Sequence, residues 1–372
     1  MIILAVILAI FVYGMIAAML GTILPNLSER FRLTPRQNGT IAMAQAIGLI
    51  IASVSVGPLI DNHGKKVGLV LGLALVVTAL FLLPKSTGYR SIVVYLLLLG
   101  LGGGIIVTGG NALVSDIGAE RRASVLNLLN LFFGLGGLAT PFISANLLNK
   151  DAFKLCYLTA VLTAVTLAVN LGAPIPPPSG ERSFQLGEAG LLLGDPTLYL
   201  LALLLFLYVA CEVGVWNWLP RHLIAQGIEE GRALNILSLG FALGLLIGRV
   251  FGAGILMGVA PERVTLGASA LMVVTTYLAL QTRDPKISWV AVFCAGLAMA
   301  PVFPTTLAMV GNHFDKATAT AMGIVITSGW IGLAVSSKII GGIAGGEPKR
   351  LKKALLVLPA FSVAMVILHL GI

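Results

Sequence analysis

Stretches of about twenty apolar residues, the length an α-helix needs to cross a bilayer, recur from one end of this chain to the other. They place candidate helices at 2–24, 38–60, 67–84, 91–114, 124–147, 154–173, 196–219, 233–257, 264–282, 288–311, 318–344 and 351–371. Little sequence remains between them for a soluble domain. A chain with this pattern, 58% hydrophobic and 10% charged with a mean hydropathy of +0.99, is an integral membrane protein whose work is done within the bilayer.

The opening segment lacks a basic leader and is too long for a signal core, so it is expected to be the first helix. Cys156, Cys211 and Cys294 fall inside predicted helices, which makes them packing residues; neither a disulfide nor a metal site is expected. The formal charge of +9 is spread over short loops without interleaved aromatics. That argues against nucleic acid and for contact with lipid headgroups.

The chain also repeats itself. Tyr13 precedes Pro25 by the same spacing as Tyr208 precedes Pro220, an offset of 195, and Gly48 and Gly100 recur as Gly244 and Gly296 at an offset of 196. Between the repeats, residues 174–195 begin with consecutive prolines, which disfavour helix and suit an extended tether. The expected architecture is all-α: twelve transmembrane helices in two pseudo-symmetric six-helix bundles, residues 1–173 and 196–372, joined by a cytoplasmic Pro-rich linker. Such halves enclose a cavity near the membrane midplane and rock around it.

The turn "GPLIDNHGKKVG", residues 57–68, concentrates charge between two apolar helices. Gly57 permits close helix approach, Asp61 can accept hydrogen bonds from a helix N-terminus, and Gly64 turns the chain. Gly57, Leu59, Asp61, Gly64, Lys65 and Lys66 match the loop 2/3 signature of the major facilitator superfamily, and with twelve helices and the half-repeat the resemblance covers essentially the whole chain. It implies that this turn latches one half to the other, with the start of helix 11 from Asp315, and Arg121 or Arg122, as partners. Lys65 and Lys66 are then expected at the cytoplasmic headgroups. With both termini cytoplasmic, as the resemblance implies, seven Lys and Arg lie inside and fifteen outside, the reverse of the usual bias.

Helices 4, 5, 7 and 10 resemble the fucose, glucose and galactose permease branch through "GLGGGIIVTGGNALV", "RRASVLNLLNLFFGLGGLATP", "YVACEVGVWNWLPRHL" and "GLAMAPVFPTTLAMV". This implies a secondary active or facilitative transporter that moves a monosaccharide, a hexose or deoxyhexose, by alternating access. A sugar is held by amides, hydroxyls, carboxylates and aromatic faces. Tyr208, Glu212 and Trp216 form one face of helix 7 with Asn217 beside it; Thr108 and Asn111 on helix 4, Asn127 and Asn130 on helix 5, Gln45 on helix 2, and Thr305 and Thr306 on helix 10 complete the candidate lining. Asn130 falls where the permease branch carries a sugar-binding amide. Singly, each amide or hydroxyl reads as helix-packing glue, and Trp216 reads equally as an interfacial belt residue.

Three charges fall inside helices: Glu212, Arg249 and Lys338. At 1.5 Å per residue, Glu212 lies about 12 Å and Lys338 about 9 Å below the outer ends of their helices, so the two are expected to interact, with Arg249 an anchor on the cytoplasmic side. The permease branch has carboxylates in helices 1 and 4 for proton transport; here helix 1 has none and Val107 stands at the helix 4 position. Uniport, or coupling to Na⁺ or H⁺ through Glu212, stay open, and no other cofactor is expected.

The alternative from the same superfamily is a drug or lipid-like exporter with an apolar pocket, against which the amides argue. An enzyme is not expected, since His63, His222, His313 and His369 sit at helix ends or loops and no HExxH or GxSxG occurs. A monomer in a bacterial inner membrane is the remaining expectation.

Overall fold

Every apolar stretch is helical in the computed structural model, which describes residues 1–33, 35–149, 151–177, 191–282, 284–315, 317–344 and 348–371. The linker expected at 174–195 lies largely outside the described residues. Among them, twelve helices are long and apolar enough to span a membrane: α1 Ile2–Leu24, α2 Thr40–His63, α3 Lys65–Lys85, α4 Tyr89–Ile117, α5 Ala119–Ser144, α6 Ala152–Gly172, α7 Pro196–Pro220, α8 Ile236–Ile255, α9 Pro261–Gln281, α10 Lys286–His313, α11 Thr318–Ala344 and α12 Arg350–Leu368. The all-α fold class is as the sequence predicts.

Several boundaries differ from expectation, and backbone chemistry says why. Helix runs on from α1 to Arg30 and from α7 through Pro220 to Ala225; one proline removes only one intrahelical bond, and its neighbours keep the helix going. In α10, where Pro301 and Pro304 fall three residues apart, helix stops at Met299 and resumes at Val302. Two missing N–H groups and a ring against the carbonyl four residues back are more than one turn absorbs. In α12 the helix breaks between Ala354 and Val357, one turn before Pro359. Helix α8 opens with a π turn at Ile236–Ala242.

The chain divides into two compact units that cut across the sequence halves. The first holds Met1–Ile117, Leu129–Gly190 and Phe314–Thr327; the second holds Gly118–Leu128, Leu191–His313 and Ser328–Ile372. Each unit therefore takes the opening segment of a helix, α11 or α5, whose remainder lies in the other.

Within the units the repeat has a packing meaning. A side chain on Gly48 would run into the Leu97 carbonyl, and one on Gly100 into that of Gln45, so α2 and α4 pack backbone to backbone. In the second unit Gly244 meets Phe293 and Gly296 meets Phe241 in the same way, bringing α8 against α10. All four pairs obey the 196-residue offset. The repeat is thus a pair of small-residue helix contacts made twice, the kind of contact that lets helices associate where no hydrophobic force distinguishes helix from lipid.

Candidate functional site

Gly64, immediately before α3, has φ 95°, a conformation that favours glycine, which is how the chain reverses within the charged turn. That reversal sets Asp61, 4% exposed, against the first turn of α11 in the same compact unit. Its carboxylate accepts from the Ala319 and Thr320 amides at 3.2 and 2.9 Å and from the Thr320 hydroxyl at 2.7 Å. The orphan amides of a helix N-terminus carry partial positive charge, so an anion there is stabilised. Gly57 allows the approach: a Cβ on it would lie 2.9 Å from both the Ala319 oxygen and the Thr320 nitrogen.

The basic residues of this turn have partners within the chain that the sequence did not suggest. Lys65 pairs with Asp116 at 2.7 Å, and the Lys66 ammonium donates to the Ala173 carbonyl at 3.0 Å, closing the C-terminal end of α6. Arg122 donates to the Asn312 side chain at 2.7 Å in the second unit. The hydrogen bonds of Asp61 go to the start of α11, one of its two expected partners.

The amides form two buried groups. In the first unit the Asn130 Nδ2 donates to Asn111 Oδ1 at 3.1 Å, while Asn111 donates to its own helix at Val107. Gln45 and Thr108 are buried in the same unit. In the second unit Asn127 Nδ2 donates to Ala123 O and, at 3.2 Å, to the Thr305 hydroxyl; its Oδ1 is buried and accepts no hydrogen bond among the described residues. Gly252 packs beside that oxygen. Thr306 bonds back to Val302 O in its own helix. Asn127 and Asn130 stand one turn apart on α5, yet they belong to different compact units.

The second unit also holds the intramembrane charges. Tyr208 is fully buried, and both the Glu212 carboxylate and the Arg249 guanidinium act electrostatically on its hydroxyl. Arg249, expected as an anchor on the cytoplasmic side, is 4% exposed and so an interior residue of α8. Lys338 is exposed, and among the described residues no ion pair joins it to Glu212. Counting residues along a helix fixes depth but not azimuth, which is why equal depth did not yield a pair. Trp216 packs edge-on against Phe241 of the π turn, ring centroids 5.3 Å apart, and Asn217 is exposed.

Two further polar contacts have no sequence signal beyond the presence of histidine. His313, closing α10, bonds Asp195 at 2.7 Å, and Asp195 also caps α7 through the Thr197 amide. The imidazole holds the Asp195 carboxyl below its usual range. His222, just past α7, has its Nε2 2.9 Å from the Leu280 carbonyl, to which the protonated nitrogen donates, and 2.8 Å from the Gln226 side chain. Burial, with a smaller contribution from the Lys352 charge, lowers its pKa.

Comparison with known proteins extends the geometry. Along 89% of its length the chain is 25% identical to the "Glucose/mannose transporter GlcP" of Bacillus subtilis (strain 168), covering 85% of that protein. It is 25% identical to the "Glucose/galactose transporter" of Brucella abortus biovar 1 (strain 9-941), over 91% of this chain and 86% of the relative. Its fold matches that of the transporter FucP, solved in the outward conformation, with a TM-score of 0.86 at 18% identity, covering 99% of this chain and 97% of the other. A family model described as Major Facilitator Superfamily matches residues 6–337. With twelve spans, a twice-made helix contact and an aspartate seated on the start of α11, the chain belongs to the Major Facilitator Superfamily.

Proposed function

We propose that this protein moves a monosaccharide, a hexose or deoxyhexose, across the membrane by alternating access. The observation that carries the reading is the pairing of buried amides and hydroxyls, Asn111 with Asn130 and Asn127 with Thr305, in a chain whose near-full-length relatives are named as glucose transporters. Paired amides hold their donors and acceptors in fixed directions, and sugar hydroxyls are recognised by a few polar groups so held. Gln45, Thr108, Tyr208, Glu212, Trp216, Asn217 and Thr305 are the further lining residues of this proposal. No ATP-binding loop occurs in the sequence, so a gradient is the driving force.

Two finer assignments accompany it. Gly57, Asp61, Gly64, Lys65 and Lys66, with Arg121 and Arg122, form the gate: Asp61 holds the start of α11 in one state and releases it in the other. Coupling, where transport is active, runs through Glu212 to Na⁺ or H⁺. This carboxylate shares its surroundings with Tyr208 and Arg249, and a cation there would redistribute charge inside the second unit. The protein is a monomer in a bacterial plasma membrane with both termini cytoplasmic.

The test is counterflow in proteoliposomes with a panel of labelled hexoses and deoxyhexoses, because exchange needs no knowledge of the coupling ion. Exchange of one sugar, lost in Asn130→Ala and reduced in Glu212→Gln, is the expected result. No exchange of any sugar by folded protein refutes the proposal in favour of an exporter of apolar solutes.

A further inference from the structure

Successive spans alternate in direction, so the loops after odd-numbered spans lie at one end and those after even-numbered spans at the other. The odd-loop end carries fifteen Lys and Arg against six acids (Glu29, Asp151, Glu229, Glu230, Asp284 and Glu347), a net of +9; the even-loop end carries seven against eight, a net of −1. At the even-loop end several basic groups have polar partners in the chain, as with Lys65 on Asp116, Lys66 on Ala173 and Arg122 on Asn312, while at the odd-loop end Lys154 lies 3.9 Å from Asp151 and Arg30 stacks on Phe153. At the odd-loop end Arg30, Arg32, Lys85, Arg90, Lys154, Arg232 and Lys286 are exposed. Acids there are partly committed: Asp151 and Asp284 cap helices through the amides of Phe153 and Lys154 and of Lys286 and Ile287.

The densest point is the start of α12, where Lys349, Arg350, Lys352 and Lys353 occur within five residues. Leu351, Ala354, Leu355 and Leu358 are buried and pin this segment, while Arg350 and Lys353 are exposed and Lys352 is half-buried, its charge reaching His222 past the end of α7. A solvated loop would not need an apolar anchor under its charges. Here the anchor lies under Arg350, Lys352 and Lys353 at the very start of the span, the end of an apolar helix that meets the headgroup region. Clusters of four or more basic residues abutting a span recognise acidic headgroups, each side chain adding about fivefold in affinity.

We infer that the start of α12 is a binding patch for acidic phospholipid of the leaflet at the odd-loop end. A bare excess of positive charge on the face opposite the signature turn runs against the usual bias of insertion; a lipid partner at that face supplies the counter-charge. The inference does not depend on which solute is carried.

The test uses the full chain in neutral detergent, titrated with phosphatidylglycerol or phosphatidylcholine, with retained lipid followed by native mass spectrometry. Preferential retention of phosphatidylglycerol, lost at least tenfold in K349Q/K352Q/K353Q, kept in K349R/K352R/K353R and abolished in molar salt, is the expected result. Equal retention of the two lipids, or an unchanged preference in the glutamine variant, overturns it. Displacement of phosphatidylglycerol by millimolar glycerol phosphate also overturns it and makes the patch a site for soluble anions. Should the glutamine variant fail to melt cooperatively, the salt dependence of the arginine variant decides alone: a preference that survives molar salt refutes the patch.

Discussion

Replacing Asp61 by Asn tests the gate most directly, because it keeps the shape and removes the charge. The carboxylate accepts three hydrogen bonds, from two amides and a hydroxyl, at 3.2, 2.9 and 2.7 Å, and is 4% exposed. Hydrogen bonds to a buried charged group contribute about 1.5–3 kcal/mol each. An amide offers one acceptor oxygen and turns its NH₂ toward donors, so at least one such bond is lost, and a net cost of about 2–3 kcal/mol follows. That corresponds to roughly 30- to 150-fold in the equilibrium for release of α11. Ser53 is a suitable reporter: it is fully buried, and Gly323 of α11 packs directly on its backbone. In a background with Cys156, Cys211 and Cys294 replaced by Ala, the thiol of Ser53→Cys reacts with a soluble maleimide only when α11 lifts away. Asp61→Asn is expected to raise the labelling rate by the same 30- to 150-fold, about 2–3 kcal/mol. Thr320→Val deletes only the hydroxyl bond and leaves the charge and both amide bonds in place, so it should raise the rate by roughly tenfold, the low end of about 1.5 kcal/mol for one bond to a charged group. Labelling of Asp61→Asn within threefold of the parent would refute the reasoning.

Other expectations follow from the same geometry. Asn127→Ala removes a bond to Thr305 and should lower the melting temperature modestly, in line with about 0.6–1.7 kcal/mol for interhelical polar contacts, while abolishing sugar counterflow; full exchange would make Asn127 packing only. Arg249→Gln and Glu212→Gln should each shift the pH or sodium dependence of uptake, and the double variant should show less than the summed effect, since both groups act on Tyr208; additive effects would separate them. Asp195→Asn keeps the α7 cap but removes the negative charge that His313 hydrogen-bonds. Because the folded-state pKa of Asp195 is depressed, its contribution is full above about pH 4, declines as the pH falls toward its own lower pKa and is gone beneath it. The melting difference from the parent should therefore be present at pH 7, small for an exposed pair at about 1 kcal/mol or less, and should vanish in strong acid; a difference that grows on acidification contradicts this.

How far the sequence could be read depended on how local each feature is. Apolar length and the 196-residue repeat are properties of short stretches, and both reappear as helices and as glycine contacts between α2 and α4 and between α8 and α10. The bonds of Asp61 to α11 were legible because the motif supplies a carboxylate acceptor and a helix start supplies the donors. The partners of Lys65 and Lys66 were not, since Asp116 and Ala173 are distant in sequence and carry no mark of their role. Azimuth was lost as well: depth along α8 says nothing of whether Arg249 faces inward, and the π turn before it, with more residues per turn than an α-helix, shifts the faces that follow. Pro220 shows the limit of a breaker read alone, because the surrounding helix outlasted it.

The division of α5 and α11 between the compact units has a consequence for the order of events at the ribosome. The first unit includes Phe314–Thr327, so its last piece is synthesised only after most of the second unit has emerged. Until then Asp61 sits near a membrane with no helix terminus to accept from, and the backbone faces of α2 around Ser53 and Gly57 wait uncovered. Multi-unit chains generally complete their N-terminal part first. This one must hold that part open, exposed to insertase or chaperone, until residue 327 arrives.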